Sequence, residues 1–188
     1  MNTNDDRFKS YLTISNDWPL DDWSITKECF DKIVEILPFD STILEIGSGN
    51  STAVLSSFYN MISIESDEKW MNKYNSEYIY IPFKETNSDI FGETMWLNTD
   101  ILKPLINEKK YDLLIVDAGA DRVGIYDNLH IFNTDIPIIF DDTMDDNYFK
   151  CANLVASKLG KICTTYQCAV NKYAVHWFNG KKYSLIHN

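Results

Sequence analysis

The chain has 188 residues, 45% of them hydrophobic, which suits one compact domain with a sizeable core. With 17 basic and 28 acidic residues, its formal net charge of -11 argues against a surface built to neutralise phosphates, so nucleic acid is not an expected partner. Met1–Asp6 is polar and acidic rather than signal-like, and no stretch is long and apolar enough to span a bilayer, so a cytoplasmic chain without a membrane partner is expected.

Residues up to Asn16 read as loosely ordered. Asp21 or Asp22 is placed to cap a helix from Trp23 to Leu37, whose apolar residues Ile25, Cys29, Phe30, Ile33, Val34 and Leu37 follow a helical period. Pro38 ends it, and residues 1–40 read as a helical cap segment of a single domain over 1–188. A short apolar strand, Ile43–Ile46, then runs into a turn holding Gly47 and Gly49, which opens onto a helix from Ser51 to Tyr59. Bare backbone at the two glycines lets a ligand sit close, and the amides at the helix start favour an electron-rich group. Gly47, Ser48, Gly49, Asn50 and Ser51 are therefore candidate ligand contacts. Glu45 stands just before the turn, where a carboxylate can hold an ammonium; the alternative is a partly buried carboxylate bonded to loop amides.

Met61–Glu65 predicts a second strand, Asp67–Tyr74 a helix and Tyr78–Ile81 a third strand. Glu85–Lys110 reads as loop with a short helix over Ile101–Asn107, which Pro104 complicates. The pairs Lys109-Lys110 and Lys181-Lys182 read as solvated loop charges. Leu113–Val116 and Ile136–Phe140 are continuous apolar runs, as in parallel strands covered on both faces. Between them come a loop, Ala118–Gly124, and a helix to Phe132. A helix over Asn147–Leu159 stops at Gly160, and strands follow at Ile162–Gln167, Tyr173–Phe178 and Lys182–Ile186, the last two joined by an Asn179-Gly180 hairpin. The predicted fold is a doubly wound α/β domain: a mostly parallel sheet, helices on both faces and an antiparallel C-terminal hairpin. Cys29, Cys151, Cys163 and Cys168 make no CxxC pair and no zinc pattern, and read as free thiols.

In such a sheet ligands bind beyond the carboxyl ends of the strands. Glu45, Gly47, Glu65, Asp117, Asp141 and Asp142 all fall there. Carboxylates gathered on one rim need cations, donors or a metal to stay ionised. His130, His176 and His187 do not fall at strand ends. Arg122 is placed to meet an anionic substrate or to pair with Asp121 or Asp127 on the surface. Trp18, Trp23, Trp96 and Tyr126 are candidates for an aromatic pocket wall; for Trp18 and Trp23 the alternative is stapling the first helix to the sheet.

The acid followed by Gly-x-Gly over Ile43–Thr52 resembles the first motif of class I S-adenosylmethionine (SAM)-dependent methyltransferases. Ile62–Glu65 is similar to their second strand, Tyr111–Asp117 to the fourth and Ile136–Asp142 to the fifth, in the same order. The resemblance implies SAM as cofactor, with Glu65 on the ribose hydroxyls and Gly47, Ser48 and Gly49 packed against it; the alternative for Glu65 is a helix-capping acid. It places Glu45, Asn50, Ser51 and Asp117 in the cofactor site too. Within that family, catechol-type O-methyltransferases hold a divalent cation with an acid after the fourth strand and an Asp-Asn pair after the fifth. Asp117, Asp141 and Asp142 occupy those places, with Asp142 departing from Asn, so Mg²⁺ is one reading. A metal-free site with Asp117 or Asp142 as general base is another, and loop capping a third. The expected activity is O-methylation of a small hydroxylated metabolite or glycan unit. The rivals are an NAD-dependent oxidoreductase, against which Thr52 stands at the third-glycine position, and a non-catalytic SAM- or nucleotide-binding module.

Overall fold

The structure, a computed structural model, describes residues 6–16, 24–119, 121–168 and 180–188. Trp18, Trp23, Asp21, Asp22, His176, Asn179 and the strand expected at Tyr173–Phe178 lie outside the described residues.

The helix α1 spans Asp6–Asn16 and α2 spans Lys27–Ile36. The first strand, β1 (Thr42–Ile46), leads into α3 (Asn50–Leu55), followed by β2 (Asn60–Glu65) and β3 (Glu77–Tyr80). A hairpin, β4 (Phe83–Ser88) with β5 (Gly92–Leu97), precedes α4 (Thr99–Ile106) and β6 (Leu113–Val116). Then come a 3-10 turn at Arg122–Gly124, α5 (Ile125–Asn128) and a second 3-10 turn at Leu129–Ile131. The last elements are β7 (Ile138–Phe140), α6 (Asp146–Leu159), β8 (Ile162–Gln167) and β9 (Lys182–His187).

Among the described residues, seven strands form one sheet in the order β3-β2-β1-β6-β7-β9-β8. The pairs from β3 to β7 are all parallel, whereas β9 is antiparallel to both of its neighbours. A single reversed strand is thus inserted between β7 and β8. Strand alternation sends Leu44, Ile46, Ile64, Val116 and Phe140 to one face, against α4 and α6. Ile43, Leu113, Ile115 and Ile139 go to the other face, against α2 and α3. Helices therefore cover both faces, and β6 and β7 are buried throughout, as their unbroken apolar runs require.

Several elements depart from the sequence expectations. The first residues described form α1, held by Tyr11, which packs at the edge of the second core and donates to Asp31 Oδ1 at 3.0 Å. Helix α2 starts later than expected because Thr26 is its cap: its hydroxyl accepts from the amide of Cys29. Residues 67–75 form turns, not a helix: the bonds run three residues apart, from Trp70 N to Asp67 O and Met71 N to Glu68 O, and Asn72 has a φ of 57°. The stretch read as loop after Glu85 contains the β4–β5 hairpin. Its turn is set by Gly92 (φ 75°), and Thr86 and Thr94 hydrogen-bond across it at 2.8 Å. Pro104 lies inside α4 beyond its first turn, on the exposed side of the helix, so one intrahelical hydrogen bond is missing two residues before its end.

Candidate active site

The turn after β1 is built by contact with the neighbouring strand. Gly47 has a φ of 91°, and a Cβ there would stand 2.4 Å from the Asp117 carbonyl oxygen. Its amide donates to Ile64 O at 2.9 Å, so the ends of β1, β2 and β6 meet at one residue. Glu65 holds the turn from the side. Its Oε2 accepts from Ser48 N at 2.8 Å, and its Oε1 accepts from Ser66 N and Asp67 N at 2.7 and 2.8 Å. The Ser48 hydroxyl is buried with no hydrogen-bond partner among the described residues. The Asn50 amide oxygen accepts from the Tyr74 hydroxyl at 2.7 Å, and Ser51 Oγ accepts from Ile25 N at 2.9 Å.

Glu45 is placed differently from its expected role. It is buried on the α2–α3 face, off the cavity described below. Its Oε1 accepts from Thr52 Oγ1 at 2.7 Å and from the Ser63 hydroxyl, and Thr52 Oγ1 itself accepts from Gly49 N at 3.0 Å. Glu45 therefore supports the turn through Thr52 and does not itself line the cleft. Burial pushes its carboxyl up to about 7 from 4.5, against the pull of the Ser63 and Thr52 hydrogen bonds and with the help of Glu65. Because the folded pKa lies above the unfolded one, the folded state binds the extra proton. This stability is fully present below about pH 4.5 and is lost as pH rises through about 7, by roughly 3 kcal/mol. Urea unfolding at pH 5 and pH 8 is expected to show that loss in the wild type and its absence in Glu45→Gln; identical pH dependence in the two proteins would contradict it.

A cleft of about 910 Å³ opens at the carboxyl ends of the parallel strands. Gly47, Ser48, Gly49, Asn50 and Ser51 line it from the turn, Glu65 from β2, Asp117 from β6 and Asp142 from beyond β7. All the expected cofactor residues except Glu45 thus share one wall. Ser24 contributes from the segment before α2, and Trp70, Phe83, Leu97 and Tyr148 supply apolar surface.

Asp117, Asp141 and Asp142 do converge: one carboxylate oxygen from each lies within 4.8 Å of the others. Two buried cations reach them first. Arg122 Nη2 is 2.7 Å from Asp117 Oδ1 and its Nη1 is 2.8 Å from Asp142 Oδ2. The same guanidinium donates to the carbonyls of Ala118 and Asp141, and lies 5.0 Å from the centre of the Tyr148 ring. Lys181 Nζ is 3.2 Å from Asp142 Oδ1 and 3.5 Å from Asp141 Oδ2, and donates to Ser24 O at 2.9 Å. Burial pushes the Asp117 and Asp141 carboxyls up. Asp141's charge reinforces this for Asp117, while Arg122 and Lys181 oppose it. Burial disfavours the charges of Arg122 and Lys181, but the surrounding acids keep both ionised.

Three expectations are revised here. Arg122 is a buried partner of Asp117 and Asp142 on the cleft wall rather than a surface partner of Asp121 or Asp127, and Lys181 is not a solvated loop charge; each is 7% exposed. The metal reading of Asp117, Asp141 and Asp142 does not fit this donor set. Asp142 and Asp117 already face side-chain cations. Both Asp141 oxygens and Asp142 Oδ1 are buried without a hydrogen bond among the described residues, and Asp141 Oδ2 and Asp142 Oδ1 meet Lys181 by charge alone; Asp141 itself is 1% exposed and off the cavity wall. A divalent ion here would stand beside a guanidinium and an ammonium in a poorly screened site.

The strand order with one reversed strand, joined to this glycine turn, decides the fold. The chain has the class I methyltransferase fold. Solved structures agree. A precorrin-6y C5,15-methyltransferase from Geobacter metallireducens is 11% identical with a TM-score of 0.53, over 87% of this chain and 90% of that one. A precorrin-8w decarboxylase from Methanobacterium thermoautotrophicum is 11% identical with a TM-score of 0.55, over 85% and 88%. A tRNA methyltransferase from Aquifex aeolicus is 13% identical with a TM-score of 0.55, over 85% and 67%. At these identities the likeness establishes the architecture, which hosts more than one activity. No protein-family model matches the sequence, and no curated protein matches it.

The expected aromatic wall is also revised. Trp96 is fully buried against Gly124, where a Cβ would lie 2.5 Å from the indole. Tyr126 packs on Phe91 and beneath Lys158, away from the cleft. Neither His130 nor His187 lines the cleft.

Proposed function

We propose that the chain binds SAM in the cleft at the carboxyl ends of β1, β2, β6 and β7, and transfers its methyl group to a small hydroxylated acceptor. The observation that carries this reading is the shared wall of the glycine turn, Glu65 and Asp117. Three amides occupy Glu65, and a carboxylate with about four lone-pair sites keeps room for a ribose hydroxyl. The unpartnered Ser48 hydroxyl suits a polar ligand group. Trp70 and Phe83 offer an apolar surface for adenine; Trp70 is covered on one face by Lys73, 3.7 Å from its ring centre. Bound there, SAM supplies an activated methyl group on a sulfonium.

The chain's own part is to orient the acceptor, exclude water and accept its proton. Asp117 and Asp142 are the carboxylates on the wall beside Arg122, and either takes that proton. Among the described residues the wall carries Glu65, Asp67, Asp117, Asp142 and Asp145 against Arg122, which favours a neutral hydroxylated molecule over a phosphate-bearing one. Incubation with methyl-tritiated SAM and panels of hydroxylated metabolites, glycans and tRNA, with and without EDTA, tests the reading. Label transfer to a hydroxyl acceptor, unchanged by EDTA, is expected. Transfer to tRNA alone would remove the acceptor assignment, and SAM binding without any transfer would favour a non-catalytic module.

A further inference from the structure

We propose that Arg122 and Lys181 together take the place of a divalent cation at the Asp117–Asp141–Asp142 cluster, and that Lys181 ties this cluster to the cavity wall at Ser24. The proposal rests on the geometry of the cluster and holds whatever ligand fills the cleft. Three carboxyl groups face two side-chain cations, so at most one net negative charge is left, and the burial that pushes Asp117 and Asp141 up works against even that. That remainder suits a singly charged ligand group and is too small for a divalent ion. The two cations share the work. Arg122 spans Asp117 and Asp142 from the β6 side, with its guanidinium carbon 5.0 Å from the centre of the Tyr148 ring. Lys181 enters from the start of β9, on the α2 side, and meets Asp141 and Asp142.

Lys181 also joins elements that a metal would leave separate. Its Nζ donates to Ser24 O, a buried residue on the cleft wall. The next residue, Ile25, donates its amide to Ser51 Oγ at the glycine turn. Thr26 Oγ1 lies 3.0 Å from Cys168 Sγ, and the Cys168 amide donates to Lys181 O. The backbone at Ser24 is thereby fixed to the acid cluster at one point and to the turn at the next. Lys181 is a positioning residue: it sets the wall and balances the acids without reaching the cleft itself.

The test is a titration of the full chain with Mn²⁺, followed by loss of the free-ion signal in electron paramagnetic resonance. Wild type is expected to take up no stoichiometric Mn²⁺. Lys181→Met, which keeps the side-chain length and removes the charge, is expected to gain one Mn²⁺ site, bound roughly tenfold or more tighter than any wild-type uptake. Lys181→Arg is expected to restore the wild-type result, which a merely structural role would not produce. One tight Mn²⁺ per wild-type chain, abolished by Asp142→Asn, would overturn the proposal. This readout stands even if Lys181→Met does not fold. A folded Lys181→Met that gains no Mn²⁺ would overturn it equally.

Discussion

Gly47→Ala is expected to destabilise the protein by about 3 kcal/mol or more, and Gly49→Ala by well under 1 kcal/mol. The two glycines are two residues apart, yet their surroundings differ. At Gly47 a Cβ meets only backbone: the Asp117 carbonyl oxygen at 2.4 Å, its carbon at 2.9 Å and the Ala118 Cα at 3.0 Å. None of these atoms swings aside like the end of a side chain; β6 itself would have to move. The φ of 91° adds strain for any residue with a Cβ. At Gly49 the φ is -166°, ordinary extended backbone, and a Cβ meets nothing within 4 Å. Urea denaturation of the two variants measures the contrast. Equal losses would mean that the β1–β6 contact does not define the turn.

The second large effect belongs to Arg122. Arg122→Met is expected to cost roughly 3 to 5 kcal/mol, the range for removing one partner of a buried ion pair. The side chains of Asp117 and Asp142 are only 17% and 19% exposed, so water cannot replace the guanidinium. Much of the loss is the penalty of stranding these acids. Adding Asp117→Asn to Arg122→Met should therefore recover part of it, and the double variant should be more stable than the sum of the singles predicts. Thermal and urea unfolding of the four proteins of this cycle give the coupling directly. Strict additivity would show that Arg122 and Asp117 do not depend on each other.

The centre of the parallel sheet was legible because β6 and β7 are unbroken apolar runs, and Leu113–Val116 and Ile138–Phe140 lie within the stretches read as strands. The rim was legible for a related reason: each of its acids directly ends or follows such a run. Local pattern failed where tertiary contacts decide. The β4–β5 hairpin has mostly polar, exposed strands, so no alternation marked it. Nothing beside Lys181 in sequence announces burial, because its partners Asp141 and Asp142 arrive from another strand. Arg122 carried a signal that was misread. It lies five residues beyond Asp117, on the loop that folds back over the strand end, so Asp117 was nearer in space than Asp127. Glu45 was misplaced for a periodic reason: strand alternation sends it to the face opposite Leu44 and Ile46, away from the cleft.

The claim that the β1, β2 and β6 ends form a SAM site is tested most directly by calorimetric titration of the wild type and Glu65→Ala with SAM and with NAD. One SAM per chain is expected, no NAD, and SAM affinity at least about tenfold weaker in Glu65→Ala, as befits loss of hydrogen bonds to a charged group. NAD binding without SAM, or SAM binding that Glu65→Ala leaves unchanged, would contradict it.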